Sequence, residues 1–232
     1  MGMKGFFFVV AAGLTLVACS TTPTVQQGPD AEITFDGLHR VDGTRVFHHV
    51  WIKPEIDLSR YHSLRIESAG IQYKQAAARS RYDRSADSFP LDEKQKERFS
   101  SAVRDVMADE ITSLKHYKIV TDPGPGVLEL RIGLMDVISR VPPELTSARS
   151  RVYLDNLGSA VLVLEIADSR TEEVLARVLD RRAADPMIAR ESNPVTNVSE
   201  VRRSVRVWGS ALRESLDQLH EIGCYVCTAV AE

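Results

Sequence analysis

Apolar and polar residues alternate with period two along most of this chain, and two apolar stripes of helical period interrupt the alternation. Arg45 to Lys53 carries Val46, His48, Val50 and Ile52 on one side and Phe47, His49 and Trp51 on the other. That pattern predicts a strand ended by Pro54. Ser63 to Tyr73 predicts a second strand, with Gly70 as a candidate bulge. Gln75 to Asp87 is polar and arginine-rich and reads as an exposed loop. Pro90, Asp92 and Glu93 then open a helix, and Phe99, Val103, Val106, Met107, Ile111 and Leu114 follow as one apolar face.

A short strand is expected at Tyr117 to Thr121, before the turn Asp122-Pro123-Gly124-Pro125-Gly126. Leu128, Leu130, Ile132 and Leu134 then alternate with Glu129, Arg131, Gly133 and Met135, the clearest strand signal in the chain. Pro142-Pro143 ends that element, and a polar loop runs to about Gly158. Ala160 to Asp168 begins apolar on both faces, which predicts a central strand. Ser169 to Glu173 is a hairpin turn and Val174 to Arg182 returns. Asn197 and Glu200 have capping-box spacing ahead of a last helix, whose face is Val201, Val205, Trp208, Leu212, Leu216 and Leu219. Strands at hairpin distance pair antiparallel, and two amphipathic helices need a sheet to bury their stripes. The expected fold is α+β: a two-layer sandwich, its mixed, mostly antiparallel sheet carrying both helices on one face.

The N-terminus breaks this pattern. Met1 to Lys4 is short and positive, and Gly5 to Ala18 is apolar or small without interruption. Such a run is a secretory signal, too short to span a bilayer as a helix. It closes on Leu16-Val17-Ala18-Cys19, which resembles the lipobox of bacterial lipoproteins. The resemblance implies that a diacylglycerol alkylates the Cys19 thiol, that residues 1–18 are removed, and that the new amino group is acylated. Several acyl chains hold a protein stably on a membrane. Ser20, where an inner-membrane retention signal has aspartate, implies the periplasmic side of the outer membrane. Residues 19–34 form the lipidated end and a leash. Its stretch from Ser20 to Asp30 is rich in Thr, Gln, Pro and Gly, with a root-mean-square reach of about 18 Å. A single domain at residues 35–220 and a tail at residues 221–232 complete the layout.

Charge narrows the partners. Loss of residues 1–18 takes only Lys4 among charged side chains, which leaves 28 basic against 32 acidic residues and a net charge of −4. A mildly acidic chain is unsuited to nucleic acid, which selects a basic face. The partners expected are instead a membrane, through the lipid, and another envelope protein. The covalent lipid on Cys19 is the one non-protein group implied, and no cofactor or metal is expected.

Several short runs occur in a characteristic order: Asp36-Gly37-Leu38; Lys53-Pro54 with Asp57 and Tyr61; Asp122-Pro123-Gly124-Pro125; Asp168-Ser169 with Val174-Leu175-Ala176; Asp180-Arg181-Arg182; and Trp208 in an arginine-rich helix. Together they resemble domain-of-unknown-function family 3313, a group of bacterial lipoproteins, over about residues 35–220. Glu172-Glu173 stand where that family usually has a glycine, and the C-terminal Cys-x-x-Cys is outside its pattern. The resemblance implies a fold and a location but no mechanism.

Three groups carry candidate chemistry. Cys224 and Cys227 have the spacing of thiol-disulfide oxidoreductases, whose first cysteine sits at a helix N-terminus that lowers its pKa. Here the pair follows a helix and the given sequence ends five residues later, so a small stapling disulfide is expected, contributing about 2 kcal/mol. A redox role, or a metal held by His220, Cys224 and Cys227 with His48 or His49 as a fourth ligand, is the alternative. Lastly, Asp168, Asp180, Arg181 and Arg182 share the predicted hairpin, with Asp136 on the preceding strand. They read as a salt-bridge network fixing register, or alternatively as a ligand or acid/base cleft. No phosphate loop, HExxH or GxSxG motif accompanies them. The expected role is therefore a non-enzymatic, lipid-anchored interaction module.

Overall fold

The computed structural model of the chain describes residues 23–74, 88–142 and 151–223. Cys19, Cys224, Cys227, the signal run and the expected loop at residues 75–87 lie outside the described residues. The strands are β1 (Thr24–Val25), β2 (His39–Asp42), β3 (His49–Ile52), β4 (Ser63–Tyr73), β5 (Lys118–Val120), β6 (Val127–Ser139), β7 (Tyr153–Leu154), β8 (Gly158–Asp168), β9 (Val174–Ala183) and β10 (Arg190–Glu191). The helices are α1 (Glu93–Thr112) between β4 and β5, and α2 (Pro194–Ile222) at the end.

Eight strands form one open sheet in the order β1-β2-β3-β9-β8-β6-β4-β5. Every neighbouring pair is antiparallel except β6–β4 and β4–β5. The parallel pairs arise because α1 carries the chain from the end of β4 back to the start of β5, as parallel neighbours require. β7 and β10 make a separate two-stranded ribbon.

Alternation decides which face is covered. Leu128, Leu130 and Leu134 of β6, Leu162, Leu164 and Ile166 of β8, and Ala176 and Val178 of β9 are buried. They join Val106, Met107 and Ile111 of α1 and Val205, Trp208, Leu212 and Leu216 of α2 in one core. This is the expected α+β sandwich with a mixed sheet, and β8 is central as its two apolar faces predicted. The helices also touch each other closely: a Cβ on Gly209 of α2 would lie 2.8 Å from Glu110 Cγ of α1. Gly70 is the expected bulge, with φ +86° and a register shift between Ser68 and Gly70.

Three boundaries differ from expectation. The leash assigned to residues 19–34 is docked from Thr24 onward. Thr24 and Val25 pair with Asp42 and Val41, and Gln26 donates its backbone N–H to Arg40 O (2.8 Å) and its side-chain amide to Asp42 (3.0 Å). Two residues are too few to show period two, so the sequence concealed this edge strand. The strand expected from Arg45 begins only at His49, because Thr44 Oγ1 donates to Phe47 O (2.8 Å) and holds the preceding residues in a turn. The last helix starts at Pro194, ahead of Asn197. Asn193 is its cap, accepting from Val195 N and Thr196 N at 3.0 Å each, and proline suits the first helical position.

Candidate functional site: a buried aspartate and an apolar cavity

Asp180 lies opposite Leu162 on the helix-covered face, and its side chain is fully buried. A carboxylate there requires partners, and it has them. Oδ2 accepts the Trp208 indole N–H at 2.7 Å. Oδ1 accepts the His48 backbone N–H at 3.0 Å and is hydrogen-bonded to His48 Nδ1. Arg182, two residues along the strand and so on the same face, places Nε 3.0 Å from Oδ2, off the hydrogen-bond line. Its Nη2 donates to Val46 O at 3.0 Å. One carboxylate thereby joins β9, α2 and the turn before β3.

The five charged residues read from the sequence as one cluster are divided among three places. Asp180 and Arg182 meet. Asp136 and Arg181 form a 3.2 Å pair, both partly exposed, because Arg181 is the odd neighbour of Asp180 and points to the other face. Asp168 sits at the hairpin turn, roughly 20 Å along the strand from Asp180. There it accepts from Arg170 N (2.9 Å), Thr171 N (3.1 Å) and the Tyr61 hydroxyl (2.9 Å). Burial raises its pKa, but these donors outweigh burial and hold the carboxyl below the usual range. His48 and Trp208 are partners of Asp180 that charge patterning overlooked. The Trp208 indole was the available signal, since a buried N–H needs an acceptor.

This arrangement is saturated. Both oxygens of Asp180 are engaged, and among the described residues no hydroxyl hydrogen-bonds to His48, so no activated nucleophile is assembled. Among the described residues no three His, Cys, Asp or Glu side chains could hold a metal. His220 stacks on His116 with ring centroids 4.6 Å apart, and its Nδ1 is buried without a hydrogen bond among the described residues.

Beside Trp208 the core opens into a cavity of about 410 Å³. Side-chain size along the sheet explains it. β8 carries Leu162, Leu164 and Ile166 under the helices, but Gly158, Ser159 and Ala160 where it enters the sheet, and the small Ala184 follows the end of β9. Phe99 and Ala102 of α1, Val201 and Val205 of α2, and Val137 and Leu157 complete an apolar wall. Leu91 and Gln95 from the start of α1, and Asn193 and Asn197 from the start of α2, also line it. So do Arg98, Arg151 and Arg182, with Glu191 the one carboxylate lining it among the described residues.

The opposite face of the sheet is different in kind. Register sets Arg40, Trp51, Arg177, Glu165 and Arg131 in one row across five strands. Arg177 bonds both Asp36 (2.7 Å) and Glu165 (2.9 Å), and Arg131 bonds Glu165 (2.9 Å) and Glu129 (2.6 Å). Arg40 lies 4.9 Å over the Trp51 ring. Arg177 hydrogen bonds hold Asp36 below the ordinary carboxylate range against the opposing effect of burial. Burial raises Glu129, and Arg131 with Arg65 more than reverses it.

A profile of DUF3313, described as a protein of unknown function, matches residues 34–212. The chain belongs to the DUF3313 family. No curated protein sequence matches it. Among solved structures, the DUF3313 chain is similar to a putative neuraminyllactose-binding hemagglutinin homolog from Helicobacter pylori. That likeness has 11% identity and a TM-score of 0.39, over 73% of this chain and 90% of the other. It is also similar to the PelC dodecamer from Paraburkholderia phytofirmans (8% identity, TM-score 0.30, 68% and 96% of the two chains). A third is protein XCC0632 of family DUF330 from Xanthomonas campestris (9%, 0.33, 73% and 89%).

Proposed function

We propose that this DUF3313 chain is a lipid-anchored envelope protein, held by Cys19 on the periplasmic side of the outer membrane, and that its domain acts by binding rather than by catalysis. The observation that carries the reading is the lipobox run Leu16-Val17-Ala18-Cys19, followed after only Ser20 to Pro23 by the docked strand β1. Five residue steps from Cys19 to Thr24 span about 17 Å at full stretch. The first edge of the sheet is then kept close to the bilayer, and the domain works at the membrane surface. No helix among the described residues is long and apolar enough to cross a membrane, so the lipid is the attachment this reading supplies. Saturation of Asp180 by neighbouring groups supports a structural role for this fully buried acid, and the cavity supports a binding task.

Metabolic labelling with an alkyne fatty acid tests the anchor. The wild-type chain incorporates label and sediments with outer membranes, whereas Cys19→Ala incorporates none. Label on Cys19→Ala, or an unlabelled wild-type chain, would overturn the anchor. Crosslinking in native envelopes then tests for the protein partner.

A further inference from the structure

We infer that the cavity beside Trp208 is a binding site for a single-chain amphiphile with an anionic head, its acyl chain lying against α1 and α2. The inference rests on the reading of the domain as a binding module and names the ligand class. Size is the first ground: about 410 Å³ falls within the range of small-molecule sites. Lining is the second. The interior offers Phe99, Val201, Val205 and Leu157, and an apolar chain is the occupant that gains from such walls.

Charge decides the head group. Among the described residues Arg98, Arg151 and Arg182 line the cavity; Arg151 lies 3.9 Å from Glu191 and Arg182 3.0 Å from Asp180, so three guanidinium groups meet two carboxylates. Arg98 makes no ion pair with any described residue. Arg182 Nε is buried with no aligned acceptor, although Asp180 is near. Asn193 and Asn197 from the start of α2 line the same cavity, and α2 has no acidic residue in its first turn, so the positive end of that helix adds to the arginines, whereas α1 begins with Asp92 and Glu93. A cation or a zwitterion would meet this charge unfavourably. A carboxylate or a phosphate diester would meet it favourably, whether it arrives as a free fatty acid or as a lysophospholipid.

Trp208 supplies the readout, because it lines the cavity and Trp51 is the only other tryptophan. The chain from Ser20 onward retains every described element and serves as the protein, with Trp51→Phe isolating the Trp208 emission. The probes are undecanoate brominated at its far end, the matching brominated lysophosphatidylglycerol, and the matching brominated alcohol. Saturable quenching by either anion supports the site, and the stronger of the two identifies the source. The alcohol should bind about tenfold more weakly, as should undecanoate to the Arg98→Gln/Arg151→Gln double variant. Ala184→Leu, which fills the cavity, should remove the saturable component. If that variant does not fold, calorimetric titration of the wild-type chain and the double variant gives the same comparison. Absence of saturable binding by either anion overturns the site and leaves the anchor to its own test. Equal binding of the alcohol, unaffected by loss of the arginines, overturns the anionic class while binding itself stands.

Discussion

Two polar groups lie under the same helix, and their hydrogen bonding is opposite. Near the middle of α2, Asp180 is surrounded by the Trp208 indole, the His48 backbone and ring, and Arg182. Near the end of α2, Asp217 uses Oδ1 to accept from Lys115 N (3.1 Å). Its Oδ2, the Tyr117 hydroxyl and His220 Nδ1 are all buried with no hydrogen-bond partner among the described residues. The first group closes the layers together. The second holds polar atoms at the seam where β5 begins and α2 ends. Buried carboxylates of equal chemistry therefore differ in worth: one is a fastener whose removal strands several donors, the other a group already half unmet.

The sharpest way to break this contrast is Asp180→Ala. It strands the His48 backbone and Trp208 indole donors and leaves the half-buried Arg182 without its acid, and should cost about 3 kcal/mol in urea unfolding. A loss as small as that from Asp217→Ala would erase the distinction. Trp208→Phe keeps most of the ring volume but removes one hydrogen bond to a charged acceptor, so a loss of about 1.5–3 kcal/mol is expected by the same measurement.

A smaller effect comes from the open face. Asp36 and Glu129 have folded pKa values below their unfolded values, so their stabilisation is complete above about pH 4–4.5 and fades as pH falls through the lower folded values. Thermal unfolding should show that acid slope, and Glu129→Gln should flatten it. Tyr117→Phe should have the least effect, neutral or stabilising by up to about 1 kcal/mol, because the hydroxyl it deletes has no hydrogen-bond partner among the described residues. Burial, with the Asp217 charge second, pushes the Tyr117 phenol above the ordinary range. In an alkaline spectrophotometric titration the Tyr117→Phe protein should therefore lose no early-titrating tyrosine.

The elements that were legible are those long enough to show their period. β4, β6, β8 and β9 each run ten residues or more, and β8 is buried at every second position from Gly158 to Ile166. β1, β7 and β10 have two residues each, and pairing rather than pattern makes them strands. At the candidate site, the Asp180–Arg182 meeting was readable, since residues two apart on a strand share a face. Asp168 was misjudged because membership of one hairpin says nothing about distance along it. His48 was invisible as a partner: it lies 132 positions from Asp180, and only the β3–β9 pairing brings them together. The cavity was legible in part, as the small residues Gly158, Ser159 and Ala160 ahead of Leu162, but nothing local says what stands opposite them.

That β3–β9 pairing has a consequence for the time course of folding. The ribbon of β1, β2 and β3 joins the sheet solely through β9 among the described strands. A chain that emerges N-terminus first therefore holds this ribbon without a docking edge until residues beyond Val174 are available. Such non-local closure slows folding relative to helical domains of similar size. Weakening the β3–β9 edge should lengthen the slowest refolding phase while leaving the β8–β9 hairpin quick to form.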